Sequence, residues 1–253
     1  MLLELKQIGK TFGGIKALTD VNFTLDEGQI LGLIGPNGAG KTTIFNMITG
    51  IFAPTTGSIT FGRTNLVQMA PHKITGLGIA RTFQNIRLFG HMSALENVKV
   101  GMHPVTASGF WSSLLRLPGQ KREEARVLER ALQLLEFVGL AEFADVRSDS
   151  LAYGQQRRLE IARALATSPK LLLLDEPAAG MIEAETQDLM ELIRKIRDQG
   201  TTVLLVEHDM PLVMNLCDKV VCINFGVKIA EGEPSEIQNH PDVIEAYLGK
   251  EDE

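Results

Sequence analysis

The chain has 253 residues, with 25 Lys plus Arg against 31 Asp plus Glu and a formal net charge of −6. A hydrophobic content of 44% and a mean hydropathy of +0.06 exclude a disordered or membrane-embedded chain, and the acidic balance argues against a general nucleic-acid binder, whose footprint is basic. Apolar runs such as 171–174 and 203–206 fall far short of the roughly 18 residues that a spanning helix needs. The opening MLLELKQIGK has no positive segment leading into an apolar stretch, so no secretory signal is expected. Cys217 and Cys222 are too few for a disulfide framework and read as reduced, partly buried thiols. The expectation at this level is a compact cytoplasmic protein.

Short runs rich in Val, Ile and Leu alternate with longer amphipathic stretches, the pattern of an α/β fold. In chain order, strands are expected over residues 2–8, 21–25 and 30–34, a helix over 41–49, and strands over 58–61 and 79–83. Helices follow over 94–100, 121–138 and 155–166. The last third reads as strand 171–174, helix 183–199, strand 202–206, helix 210–216, strands 220–224 and 227–231, and helix 243–248. Residues 102–120 hold two Pro, two Gly and the only Trp, and read as a loop or a short hairpin of helices. Both flanks are strand-rich, whereas 84–167 is nearly all helical. One domain is therefore expected, with a core from residues 1–83 and 168–253 interrupted by a helical subdomain over about 84–167.

The strongest motif is Gly35-Pro36-Asn37-Gly38-Ala39-Gly40-Lys41-Thr42, followed by Thr43, a full match to the phosphate-binding loop G-x-x-x-x-G-K-[ST]. A buried strand precedes it and a helix follows, as the motif requires. The glycines let successive N–H groups turn inward around phosphate oxygens, and the helix adds its positive N-terminal dipole. Lys41 is expected on the β- and γ-phosphates and Thr42 on Mg²⁺. Leu171-Leu-Leu-Leu-Asp175-Glu176 supplies the second half of the site: a buried strand delivers two carboxylates to the ligand crevice of an open α/β sheet. Asp175 is placed to hold the Mg²⁺ shell and Glu176 to polarise the attacking water.

With the remaining motifs, the chain resembles the nucleotide-binding subunit of ATP-binding-cassette (ABC) transporters over essentially its full length. The resemblance implies a P-loop ABC ATPase core with an inserted α-helical subdomain and an antiparallel β region, using ATP and Mg²⁺. In that family two subunits sandwich two ATPs, each phosphate loop facing the partner's signature motif. The signature resembles Leu151-Ala152-Tyr153-Gly154-Gln155, which opens a helix just before LLLLDEP. Gln84, in RTFQN, matches the glutamine that touches Mg²⁺ or water. His208, in VLLVEHDM, matches the histidine that contacts the γ-phosphate, and Phe12 the aromatic that stacks on adenine. Two positions depart from the pattern. Ala152 stands where the family usually carries Ser, which removes a hydroxyl contact to the γ-phosphate. Ile182 stands where Asp or Asn is usual, so weaker coupling or asymmetry between the two composite sites is expected.

LAYGQQRRLEIARALA, DEPAAG, RTFQNIRLF, VEHDM and the ending AEGEPSEIQNHPDVIEAYLG are similar to the ATP-binding subunits of branched-chain (hydrophobic) amino-acid importers, and the long 102–120 stretch to the longer of their two types. The lipopolysaccharide-export ATPase shares much of this pattern. The resemblance implies dimerisation with itself or a paralogous ATPase, two membrane permeases as partners, an external solute-binding protein as an indirect one, no nucleic acid, and a peripheral place on the cytoplasmic face of the membrane. Leu88 and Phe89, within the apolar stretch 86–92, are candidates for a groove that accepts a permease helix. Cassette ATPases of DNA repair or translation usually carry a coiled-coil insertion or a second cassette, and this chain has neither. A P-loop kinase would leave the signature, Gln84 and His208 without a role.

Overall fold

The computed structural model describes residues 1–102 and 118–248. The chain divides into two compact units, one formed by Met1–Arg81 with Lys170–Glu253 and the other by Thr82–Pro169. Their junctions fall at 81/82 and 169/170, against expected junctions at 83/84 and 167/168.

In the first unit, β1 (Leu3–Phe12), β2 (Ile15–Leu25), β4 (Thr56–Phe61) and β5 (Thr64–Asn65) form an antiparallel sheet in the order β2-β1-β4-β5. A second sheet has the order β10-β9-β3-β8-β7-β6, built from β3 (Ile30–Ile34), β6 (Ile79–Arg81), β7 (Leu171–Asp175), β8 (Thr202–Val206), β9 (Lys219–Asn224) and β10 (Val227–Gly232). Its strands pair in parallel except at the β9–β10 hairpin. All residues of β3, β7 and β8 are buried, which explains their unbroken apolar runs: a parallel strand covered on both faces has no solvent side to alternate toward. Helix α1 (Lys41–Ile48) places Ile44, Phe45 and Ile48 in one apolar cluster with Leu3, Leu5 and Ile59 of the antiparallel sheet and Leu31, Leu33, Leu173 and Leu204 of the parallel one.

Register then positions the chemistry. Leu33 pairs with Val206, and Val206 with Asp175, so the carboxyl ends of β3, β8 and β7 lie side by side. Ligands of open α/β sheets bind at that edge. Behind the sheet, α6 (Glu183–Asp198) and α7 (Met210–Leu216) bury Leu189, Ile193, Leu212 and Val213.

Several expectations need correction. β1 and β2 extend to a tight hairpin at Gly13 and Gly14, both with positive φ; Ile15 at its tip is 76% exposed, so no apolar alternation marks this half of the strand. The strand expected over 79–83 ends at Arg81, because the Phe83 N–H donates to Glu160 and its carbonyl accepts from Arg157, instead of pairing with a neighbouring strand. Helix α2 (Pro71–Gly76), β5 and α8 (Pro234–Gln238) were not expected. α2 and α8 each bury a single apolar residue, Ile74 and Ile237, too little to leave a period in the sequence.

The second unit contains α3 (Ala94–Gly101), α4 (Pro118–Phe137) and α5 (Tyr153–Leu165). α3 starts with a reciprocal cap: Glu96 donates its N–H to the Ser93 hydroxyl at 3.1 Å, and the Glu96 carboxylate accepts from the Ser93 N–H at 2.8 Å. This satisfies two of the donors that a helix start leaves orphaned. Asn97 is fully buried; it accepts from the Phe89 N–H and donates to the carbonyls of Phe89, Met92 and Ser93. Of the stretch 102–120, residues 103–117 lie outside the described residues.

Candidate functional site

The phosphate loop begins where β3 ends. Gly35 has φ 148°, and a Cβ there would lie 2.0 Å from the Ile223 carbonyl oxygen. Gly40, the N-cap of α1, has φ 111°, and a Cβ there would lie 2.6 Å from Leu18 Cδ2. Only glycine fits either position, by conformation and by space. The loop is braced internally by Ala39 N–H to the Pro36 carbonyl at 3.1 Å, and from the β9–β10 hairpin by Gly226 N–H to the Ala39 carbonyl at 3.0 Å.

Lys41 is buried, and its ammonium donates to the carbonyls of Gly35 at 2.6 Å and Pro36 at 3.0 Å. Burial pulls its pKa below the usual lysine range, while Glu176, Cys222 and Asp175 act in the opposite direction. Asn37, Gly38 and Thr42 are exposed and Thr43 half-buried, so the loop and the first turn of α1 present N–H groups and hydroxyls outward. That is the arrangement for holding an anion.

Asp175, the last residue of β7, is buried, and its Oδ2 accepts from Arg81 at 2.8 Å. Arg81 also donates to Asn46 Oδ1 at 2.7 Å. The next residue, Glu176, has φ 47°, a left-handed conformation uncommon in non-glycine residues and concentrated at functional sites. Its N–H donates to the Val206 carbonyl at 2.9 Å, which locks the turn against β8. His208, just beyond β8, has Nδ1 4.0 Å from Glu176 Oε1 and 4.0 Å from Glu207 Oε2. The sheet thus brings Lys41, Asp175, Glu176 and His208 to one edge of the first unit.

Glu207 was not singled out in the sequence. It is 1% exposed and accepts from the Ala178 N–H at 2.9 Å and the His208 N–H at 3.2 Å. Burial pushes its pKa up, and the same backbone amides oppose the shift. One carboxylate therefore fixes both the loop after Glu176 and the backbone of His208. Phe12, at the end of β1, is 44% exposed and meets Phe52 edge-on, with centroids 5.1 Å apart. Part of its ring surface is left open to stacking.

In the second unit Gln84 is exposed, and its carbonyl accepts from Arg157 at 2.9 Å. Arg157 is fully buried on α5; it also donates to the Phe83 carbonyl at 2.7 Å and to Glu160 at 2.8 Å. Glu160 in turn accepts from the N–H groups of Phe83 and Arg87. The signature segment opens this same helix: Leu151 and Gly154 are buried, Ala152 is the N-cap, Tyr153 is exposed, and Gln155 Oε1 accepts from the Ala152 N–H at 3.0 Å. Helix α5 thus carries the signature at its start and holds the Gln84 backbone from its second turn. A signal for Arg157 was present in the sequence. It falls in the i, i+4, i+8 stripe with Ile161 and Leu165, both buried, where a charge must be paired.

Cys217 and Cys222 are free and buried, and burial raises the Cys222 thiol to about 12. Among the described residues no helix is long and apolar enough to cross a membrane.

A sequence profile described as ABC transporter matches residues 18–179, and one described as branched-chain amino acid ATP-binding cassette transporter matches residues 227–253. The chain is 47% identical to the high-affinity branched-chain amino acid transport ATP-binding protein LivG of Salmonella typhimurium and 48% identical to BraF of Pseudomonas aeruginosa. Each match spans 250 residues, 98% of this chain and 98% of the relative. Among solved structures, the ADP conformation of MJ1267, an ATP-binding cassette of an ABC transporter, is similar with a TM-score of 0.86 and 33% identity, over 98% of this chain and 99% of that one. A dimeric post-hydrolysis state of the cassette MJ0796 bound to ADP and Pi is similar with a TM-score of 0.77 and 28% identity, over 92% and 99% of the two chains. With the phosphate loop, the strand-end carboxylates and the full-length likeness in hand, the chain belongs to the ABC transporter family, as the ATP-binding ATPase subunit of a transporter.

Proposed function

We propose that this cassette hydrolyses ATP to power the import of branched-chain amino acids through two partner permeases. The observation that carries the chemistry is the convergence of Lys41, Glu176 and His208 at one sheet edge. Full-length likeness to LivG and BraF supports the cargo. The N–H groups of Asn37, Gly38 and residues 40–43 and the Lys41 ammonium bind the phosphates, and Phe12 stacks on the adenine. Glu176 takes the proton of the attacking water. His208, beside that carboxylate, contacts the γ-phosphate.

The donors present suit Mg²⁺. The Thr42 hydroxyl and the Asp175 carboxylate, both of the discontinuous unit, are hard oxygen ligands. Among the described residues no group of three or more His, Cys, Asp or Glu could hold a metal alone. The ion would therefore be shared with nucleotide phosphates, the usual mode for Mg²⁺, where it neutralises charge on the transferred group.

The discontinuous unit is the ATPase core and the helical unit the inserted subdomain. Two cassettes close over two ATPs, each presenting its Leu151–Gln155 segment to the other's loop, and an external solute-binding protein delivers the cargo. The dimer sits on the cytoplasmic face of the membrane. Phe89 supports the docking reading: its backbone is tied to Asn97 and Ser148, and the residue is 48% exposed with the Arg163 guanidinium 5.9 Å from its ring centroid. A fixed, outward-facing apolar side chain suits a groove for a helix.

Glu176→Gln is expected to lower ATP turnover by roughly 10²–10⁴ while nucleotide binding persists; normal turnover would remove Glu176 from the mechanism. Uptake of labelled Leu, Ile and Val into vesicles carrying the permeases tests the cargo. There Phe89→Asp should abolish recruitment of the cassette without loss of ATP binding, and full recruitment would sink the docking site.

A further inference from the structure

The helix α9 (Pro241–Leu248) follows β10 and α8 and belongs to the stretch matched by the branched-chain cassette profile. No sequence motif assigns it a role, yet Tyr247 reaches the phosphate loop: the Gly35 N–H donates to its hydroxyl oxygen at 2.8 Å. This contact spans 212 positions of sequence.

Gly35 is the residue at which β3 leaves the sheet. The last pair of the β3–β9 ladder is Ile34 with Cys222, so the next amide must find another partner or stand unsatisfied in a buried place, which is costly. The space for adjustment is small, because the glycine backbone lies against Ile223 with no room even for a Cβ. Its carbonyl accepts from the Lys41 ammonium at 2.6 Å. Both backbone polar groups of Gly35 are therefore held. One is held by the lysine that serves the phosphates, the other by a tyrosine from the far end of the chain. The same helix lines a groove with the outer side of the loop, in which Pro36, Asn37, Gly38 and Ala39 face Asp242, Glu245 and Ala246.

We infer that Tyr247 is a positioning residue for nucleotide binding: by accepting from the Gly35 amide it holds the start of the phosphate loop in its receiving conformation. The inference rests on the reading of residues 35–43 as the ATP site. It gives the C-terminal segment a direct part in nucleotide affinity. Burial lifts the Tyr247 hydroxyl to about 12, with the buried Cys222 thiol contributing and the Gly35 amide opposing. The hydroxyl stays neutral through the working pH range, and the bond does not titrate there.

Tyr247→Phe removes the acceptor and keeps the ring. With ATP as the probe, the KM, and the Kd from calorimetry in a Glu176→Gln background, should rise about three- to tenfold. kcat at saturating ATP should stay within about twofold, and Tm should fall by only a few degrees, because the ring still packs although the Gly35 amide loses its acceptor. A KM within twofold of the parent overturns the proposal whatever happens to Tm, since the tyrosine would then serve only helix packing. A fall in kcat at constant KM overturns it as well. Lys41→Ala is measured alongside. If it binds ATP as tightly as the parent, the phosphate-loop reading itself fails. If it loses binding while Tyr247→Phe does not, only the assignment of Tyr247 fails.

Discussion

Glu207 joins two loops of the candidate site through one buried carboxylate. Its two oxygens accept from the amides of Ala178 and His208, so the turn after Glu176 and the backbone of His208 cannot move independently. A glutamine has the same shape but only one acceptor, and its NH₂ would face one of the two N–H donors. Glu207→Gln should therefore loosen His208 and lower kcat for ATP. The charge adds a test that reports on this residue alone. Burial raises the Glu207 pKa above its ordinary value of 4.5. Between 4.5 and the raised folded value, the folded chain binds the proton more tightly than the unfolded chain. This group's contribution to stability is then greatest at the acid end and falls as pH rises through the folded pKa. Most carboxylates show the opposite slope. The Tm difference between the parent and Glu207→Gln, followed across that window, should shrink with rising pH. A difference constant in pH would show that the glutamate does not titrate as its burial requires.

Helix α6 begins at Ile182, which is 67% exposed and occupies the N-cap with φ −79° and ψ 162°. That backbone suits a capping residue, and half of a capping box is already in place, since Glu185 accepts from the Ile182 N–H at 3.2 Å. An isoleucine has no oxygen to return the bond. Ile182→Ser should complete the box and raise stability by about 1 kcal/mol, a Tm gain of roughly 2–4 °C for a chain of this size. An unchanged or lower Tm would mean that the exposed isoleucine is held by something other than its own helix. Elements of this molecule are legible in sequence where burial is complete. β3 and β8 coincide with the expected ranges because every residue of each is covered, and α7 because its cap Asp209 accepts from the Leu212 N–H. α2, α8 and the first half of β2 are silent because they cover little apolar surface. The same contrast holds in the candidate site. The loop around Lys41 announces itself, since consecutive residues make it, whereas Tyr247 and Glu207 act on backbone groups 212 and 29 positions away and leave no local pattern; for Arg157 the apolar stripe gives away its burial but not the Gln84 carbonyl it holds 73 positions away.

At the scale of the molecule, the two compact units use different means to fix their functional segments. The core sets Lys41, Glu176 and His208 by strand register over an apolar cluster, whereas the helical unit holds the Gln84 backbone with a buried ion pair, Arg157 with Glu160. Such pairs contribute little net stability when compared with apolar substitutes, but removing one partner strands the other. Arg157→Met would leave Glu160 inside the helical unit with Arg163, 3.9 Å away, as its remaining cation, and would orphan the carbonyl bonds at Phe83 and Gln84. The expected loss is about 3–5 kcal/mol, at the lower end because Arg163 partly compensates. The double variant Arg157→Met/Glu160→Leu should recover part of this, because no charge is then left buried, yet it cannot replace the four backbone bonds made to residues 83–87. ATP affinity should be retained in both variants, since every residue of the phosphate loop and its braces belongs to the other unit. Turnover should fall in both, since Gln84 has lost its hold. Denaturant titrations with ATP-binding and turnover assays separate these effects. Equal stability of the single and double variants would show that the buried glutamate carries no penalty, and parental turnover in the double variant would show that the Gln84 segment does not need Arg157.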